Sequence, residues 1–140
     1  MDSMISRGSG PGRILVMVYA IFALSAGARA AVQIATKFEH APIAYVLSAV
    51  AAAIYLVNAI LLGRSSLSTW KLARALCLVE LAGVIAVGVA SLVVPQEFPD
   101  ATVWSRFGIG YAFVPLVLPI LGLAWLGRTR AASAGDTPVA

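Results

Sequence analysis

The chain has 140 residues, of which 61% are hydrophobic and only 11% are charged, whereas a soluble domain carries roughly 25% charged residues. A soluble protein of this length could not bury so much apolar surface in its own core. The composition therefore excludes an ordinary soluble domain and predicts an integral membrane protein. The formal net charge is +4, but the basic residues lie near the ends of apolar stretches, which argues against a nucleic-acid partner.

Four apolar stretches form a predicted membrane domain over residues 13–127, between polar tails 1–12 and 128–140 that we expect to be flexible. Each stretch has about 20 to 23 residues, enough to cross a ~30 Å hydrocarbon core as a helix. Helix is required because a single span must satisfy its own backbone hydrogen bonds. Short connections predict an all-α, antiparallel four-helix bundle, with spans at about 14–36, 43–62, 72–94 and 107–126.

The basic residues predict how these spans are oriented, because cytoplasmic segments of membrane proteins are enriched in lysine and arginine. With the N-terminus inside, the outer segments contain only Lys37 and Arg106. The cytoplasmic segments then contain Arg7, Arg13, Arg64, Lys71, Arg74, Arg128 and Arg130. Both termini are therefore predicted to be cytoplasmic, with Trp70 and Trp125 as inner interfacial anchors and Trp104 as the outer one.

The first span has a second interpretation, as a signal peptide. Arg7 and Arg13 precede the apolar run Ile14–Leu24, and Ala26–Ala28 and Ala28–Ala30 both match an A-x-A cleavage site. Cleavage there would leave three helices with unchanged orientation. The apolar character continues beyond these sites, which favours an uncut first helix.

Arg29 lies within the first span, in the predicted outer third of the bilayer, where burying a cation costs about 2–3 kcal/mol. Ser25, Arg29 and Gln33 recur every four residues and therefore share one helix face, which we expect to face the bundle interior or a wet cavity. One interpretation of this pattern is an outward-facing site for an anionic ligand, such as a lipid headgroup or a small acid, with Arg29 as anchor and Gln33 as helper. Alternatively, Arg29 extends to the outer headgroups or bonds to neighbouring helices.

Glu80 is the second polar residue within a span, about 8 residues into the third stretch. Asn58, near the inner end of the second stretch, has a similar predicted depth and could form a hydrogen bond with Glu80. The pair is either a structural clamp between helices or part of a proton or ligand site.

Pro115 and Pro119 interrupt the fourth span. Each proline lacks a backbone donor and leaves the carbonyl four residues earlier without its usual partner. Such a position can act as a hinge beside a cavity, or it can only shape the packing.

Residues typical of cofactor-dependent or nucleophilic catalysis are missing from the sequence. Glu39 and His40 in the first outer connection make only a weak metal signal, and His40 and Cys77 are the only residues of their kinds. The sequence therefore has no second cysteine for a Cys-pair site and no second histidine for a haem ligand pair. It also offers no candidate Ser-His-Asp set. We expect no cofactor, no metal and no enzymatic activity.

Two segments resemble small four-span membrane proteins of actinobacteria, a group of uncharacterised function. They are FPDATVWSRFGIGYAFVPLVLPILGLAWL (Phe98–Leu126) and TKFEHAPIAYVLSAVAA (Thr36–Ala52). The resemblance extends over most of residues 13–127. It implies a multi-pass protein of the inner (plasma) membrane and assigns no functional residues.

The leading functional hypothesis is a non-enzymatic accessory or scaffold subunit, in contact with membrane lipids and with a membrane-protein partner or a second copy. Small residues at four-residue spacing would allow such close helix contact: Ala23, Gly27 and Ala31, then Ala82, Ala86 and Ala90. The alternative is a small carrier or a lipid- or anion-binding protein that uses Arg29. A third possibility is a lipid-modifying enzyme with Glu80 as base.

Overall fold

The computed structural model describes residues 10–64 and 67–129, and the regular structure of these residues is entirely helical, as predicted. Three short 3₁₀-helices cover Phe38–His40, Pro95–Glu97 and Ser105–Tyr111. Most of the predicted tails, including Arg7 and Arg130, lies outside the described residues. The α-helices are α1 (Gly10–Lys37), α2 (Pro42–Leu62), α3 (Leu67–Val93) and α4 (Val114–Arg128).

Within the described part of the chain, α1, α2 and α3 are long and apolar enough to cross a membrane. They contain the first three predicted spans almost entirely, and both potential cleavage sites lie inside the uninterrupted α1. The fourth predicted span, 107–126, is not one continuous helix but a bent pair of helical segments. The segment Ser105–Tyr111 and α4 meet at an angle of 96°. With 15 residues, α4 alone is about 22 Å long, so a fourth crossing would need both parts.

The break before α4 follows from the residues around it. A proline in a helix interior costs about 3 kcal/mol, but Pro115 occupies the first turn of α4, where its missing N–H group is tolerated. Ala112 and Phe113, just before α4, have left-handed φ angles of 57° and 62° and turn the chain into the new direction. Pro115 therefore begins the helix rather than kinking it, whereas Pro119 lies inside α4 as predicted.

The helices pack as two antiparallel pairs joined through their buried faces. α1 packs along α2, and α3 packs against both α4 and Ser105–Tyr111. Trp70 Nε1 donates a hydrogen bond of 2.7 Å to the carbonyl of Leu126, and Trp104 Nε1 donates one of 2.8 Å to the Tyr55 hydroxyl. These tryptophans and Trp125 are buried between helices, which differs from their predicted role as interfacial anchors.

The described helices bury mainly small or aromatic side chains and expose many large aliphatic ones. Alanine is the commonest buried residue, with nine examples beside five leucines, three valines, three tyrosines and three tryptophans, together with polar residues such as Asn58 and Glu80. Large aliphatic side chains point outward, and Leu24 and Val93 are 75% and 70% exposed. Such a surface suits contact with hydrocarbon, whereas monomeric soluble proteins rarely expose large contiguous apolar patches.

Candidate functional site

Glu80 lies in a fully buried polar cluster, formed with Tyr19, Asn58 and Cys77, that joins three helices. The Tyr19 hydroxyl donates a hydrogen bond of 3.0 Å to Glu80 Oε1. Asn58 Nδ2 donates one of 2.5 Å to Glu80 Oε2, so the hydrogen bond predicted for this pair is present. Both carboxyl oxygens thus accept from different helices, since Tyr19 belongs to α1 and Asn58 to α2.

The fourth side of this cluster is closed by α4 at Gly122. A Cβ atom at Gly122 would lie 2.8 Å from Cys77 Sγ and 3.4 Å from the Tyr19 hydroxyl, so only glycine allows this approach. Among the described residues no cation forms an ion pair with Glu80, and Asn58 Oδ1 has no hydrogen-bond partner. Hydrogen bonds from uncharged groups therefore hold Glu80, which is typical of a structural clamp.

A second group of polar residues surrounds a cavity at the opposite end of the protein from the Trp70–Leu126 contact, the end predicted to face outward. The cavity has a volume of about 300 Å³. Arg29 reaches it from α1, Ser91 from α3, and Arg106 from Ser105–Tyr111. The remaining lining residues are Pro95, Phe98, Pro99, Ala101, Thr102, Ser105, Ile109, Gly110 and Tyr111.

Arg29 and Arg106 are the two cationic side chains of this cavity, and both are exposed. Neither forms an ion pair with any acidic residue in the described part of the chain. Two guanidinium groups that share one cavity repel each other unless an anion lies between them. The cavity therefore has the charge of an anion-binding site.

Hydrogen bonds to side chains fix the backbone that presents Arg106. Its N–H group donates to Ser91 Oγ at 2.9 Å, and Ser91 Oγ donates to the Gly88 carbonyl at 2.8 Å. Arg106 and Phe107 have positive φ angles of 50° and 63°, which cost of order 1–3 kcal/mol each for residues other than glycine. Strain of this kind persists only when surrounding contacts over-determine the conformation, and it clusters at functional sites.

Asp100 ties the loop that forms one wall of the cavity to the ends of α1 and α2. Asp100 Oδ2 accepts a hydrogen bond of 2.5 Å from the Tyr45 hydroxyl and lies 3.3 Å from Lys37 Nζ. Asp100 Oδ1 lies 3.6 Å from His40 Nε2. The Tyr45 hydrogen bond, with the Lys37 and His40 charges, lowers the pKa of Asp100 below its ordinary value.

The Asp100 contacts predict a pH-dependent contribution to stability. Because the folded-state pKa is depressed, the contribution is fully present above the unfolded value of about 3.9 and is lost as pH falls through the folded value. Asp100→Asn mimics the protonated acid, so we expect it to lower the melting temperature in detergent by a few degrees at pH 7. At pH 3 the melting temperatures of the native protein and the variant should be closer together. An undiminished difference at that pH would contradict the prediction.

The structure separates the residues that the sequence grouped into one site. Arg29 lines the cavity, while Ser25 on the same helix face is exposed and Gln33 is buried without lining the cavity. Asn58 and Glu80 belong to the distant buried cluster, and no salt bridge joins Arg29 to Glu80. The expected polar stripe therefore does not form a single surface.

Sequence reasoning missed Arg106 and Tyr111 as cavity residues and Tyr19 as the partner of Glu80. Arg106 was assigned to the outer segment, but only the turn after it brings it opposite Arg29. Tyr19 lies 10 residues before Arg29 in the same apolar stretch. A tyrosine hydroxyl within a predicted span is a signal that could have identified a buried hydrogen bond.

The two sites differ in what they can do chemically. The buried cluster can hold helices together, whereas the cavity can bind an anion from the predicted outer side. The described residues contain no group of three side chains suited to a metal ion. Comparison with family models, with curated proteins and with solved structures finds no match for this chain.

Proposed function

We propose that this chain is a multi-pass protein of the plasma membrane that binds an anion in an outward-facing cavity at Arg29 and Arg106. It would cross the membrane four times, with the bent segment before α4 completing the last crossing. Seven basic residues in predicted cytoplasmic segments, against two in outer ones, support cytoplasmic termini. The exposed aliphatic side chains of the helices support contact with lipid on most sides.

One observation carries the anion-binding proposal. Arg29 and Arg106 come from separate elements, α1 and Ser105–Tyr111, yet line the same cavity of about 300 Å³. Neither has an acidic partner within the described residues. A cavity of this volume lies at the small end of the range for ligand sites, so a compact ligand or part of a larger one fits best.

The same geometry favours binding over catalysis. The cavity is lined by arginine, hydroxyl-bearing and apolar residues, which can position and neutralise an anion but include no carboxylate or imidazole to act as a general base. The Glu80 carboxyl is buried in the separate cluster and hydrogen-bonded through both oxygens. We therefore propose a carrier or a lipid- or anion-binding protein, without an enzymatic step.

Loss of either cavity arginine should weaken anion binding by about tenfold or more, since a charge-assisted hydrogen bond contributes roughly 1.5–3 kcal/mol. Suitable variants are Arg29→Gln, which keeps a good helix former, and Arg106→Asn, because asparagine tolerates a positive φ. Calorimetry of the purified protein with sulfate, inorganic phosphate and acetate would measure the change.

Arg128→Gln is the matched control for these variants. Arg128 is also an exposed arginine, but it lies at the opposite end of the protein, 5.8 Å from the ring centroid of Trp125. Its replacement should leave anion binding unchanged. An equal loss in all three variants, or no loss in any, would rule out a specific site at the cavity.

A second candidate function, an accessory subunit, rests on a groove of about 410 Å³ between α1 and α2. Small side chains line most of it, so a helix from a partner or from a second copy could approach closely. Co-purification from native membranes tests this function, and a protein that stays monomeric and alone would count against it. The lining residues are Ala20, Ala23, Leu24, Gly27, Ala28, Ala52, Ala53 and Leu56.

A further inference from the structure

We infer that the anion recognised at the Arg29–Arg106 cavity carries a phosphoryl group, as a phosphate ester of a lipid or of a small soluble molecule. This inference rests on the proposed anion-binding function and narrows its ligand class. The juxtaposition that carries it is two arginines, on separate elements, that line one cavity.

The number of cations distinguishes a phosphoryl group from a carboxylate. A carboxylate has two oxygens and one negative charge, and a single guanidinium can engage both oxygens through two parallel hydrogen bonds, so two arginines exceed the charge that it can neutralise. A phosphate ester has further oxygens and a charge of about −1.5 to −2 when it is a monoester. It can therefore engage Arg29 and Arg106 together, and the planar arginine fork matches phosphate geometry.

The other lining residues suit an ester rather than a free inorganic ion. Tyr111 adds a phenolic donor, and Pro95, Phe98 and Ile109 provide apolar wall. Ile109 is 54% exposed, so the wall continues onto the outer surface of the protein. An organic group attached to the phosphate could lie along this wall while the phosphoryl oxygens meet the arginines.

A matched pair of ligands tests the inference. Glycerol 3-phosphate and glycerate share a three-carbon polyol skeleton and differ mainly in their anionic group. Titrated into the full chain in neutral detergent, glycerol 3-phosphate should bind at least about tenfold more tightly than glycerate. The preference should disappear in Arg29→Gln and in Arg106→Asn, and Arg128→Gln should retain it. Melting temperatures near that of the native protein would establish that the variants are folded.

A further arm of the experiment separates the two sources of the phosphoryl group. Short-chain phosphatidic acid, a phosphate monoester like glycerol 3-phosphate, should bind more tightly than glycerol 3-phosphate if the ligand is a lipid, and less tightly if it is a soluble ester. Either order supports a phosphoryl ligand. Equal or tighter binding of glycerate would overturn the phosphoryl assignment but would still support the proposed anion site. Absence of binding by every anion would overturn the proposed function as well.

Discussion

Glu80→Ala is expected to lower the free energy of unfolding by about 2–4 kcal/mol. The substitution removes the carboxylate oxygens that accept from the Tyr19 hydroxyl and Asn58 Nδ2 and leaves only their weaker contacts with Cys77 Sγ. A buried unsatisfied polar group costs about 1–3 kcal/mol. The cost is smaller within membranes, where interhelical hydrogen bonds contribute about 0.6 kcal/mol on average in double-mutant cycles. The missing side-chain atoms add a cavity cost. Unfolding in mixed micelles with increasing denaturing detergent would measure the change.

Glu80→Gln is the matched control, because it keeps the shape of the side chain and removes its capacity to ionise. The carboxamide oxygen of that variant would accept one hydrogen bond, and its NH₂ group could donate to Asn58 Oδ1, which lacks a partner in the native cluster. We expect its stability to lie within about 1 kcal/mol of the native protein. If the alanine and glutamine variants were equally stable, the cluster would not act as a clamp.

Gly88→Ala is expected to destabilise the contact between α3 and the segment that presents Arg106. A Cβ atom at Gly88 would overlap Phe107 Cδ1 and lie 2.8 Å from Phe107 Cγ. Because the clash includes Phe107 Cγ, rotation of the ring about the Cβ–Cγ bond cannot relieve it. Overpacking costs typically 1–3 kcal/mol, and the better helix propensity of alanine returns about 1 kcal/mol. We expect a net loss of up to about 2 kcal/mol.

The same substitution should also weaken anion binding, because Phe107 follows Arg106 directly in the chain. Gly127→Ala is the control, since a Cβ atom there would meet nothing within 4 Å. It should raise stability slightly through helix propensity and leave binding unchanged. Melting temperature and calorimetry on both variants give the comparison, and a Gly88→Ala protein that behaves like Gly127→Ala would contradict this packing.

Sequence reasoning succeeded where the property is local or additive. Hydropathy summed over about 20 residues predicts a spanning helix regardless of its neighbours, and α1, α2 and α3 follow that prediction. The Asn58–Glu80 hydrogen bond was also predictable, because equal depth in neighbouring antiparallel helices brings two polar groups together. Both inferences need only the length of each helix and the direction in which it runs.

Prediction was incomplete at the fourth span, because Pro115 and Pro119 indicated an interruption but not its sharpness or direction. The run from Phe107 to Leu126 is apolar throughout, yet Pro115 can only begin a helix there. The left-handed residues before it turn the chain by 96°. A hydropathy average ignores backbone direction, so it joined two segments that the structure separates.

Composition, hydropathy and charge are sums along the chain, and they sufficed to predict a helical protein with several apolar segments long enough to span a membrane. The partners of each polar side chain depend instead on helix rotation and on close approach between distant segments. Tyr19 contacts Glu80 because the face of α1 that carries Tyr19 packs towards α3. Arg106 lines the same cavity as Arg29 because the chain turns back after α3. Contacts of this kind are set by packing in three dimensions, so only the tertiary structure separated a buried clamp at Glu80 from an accessible cavity at Arg29.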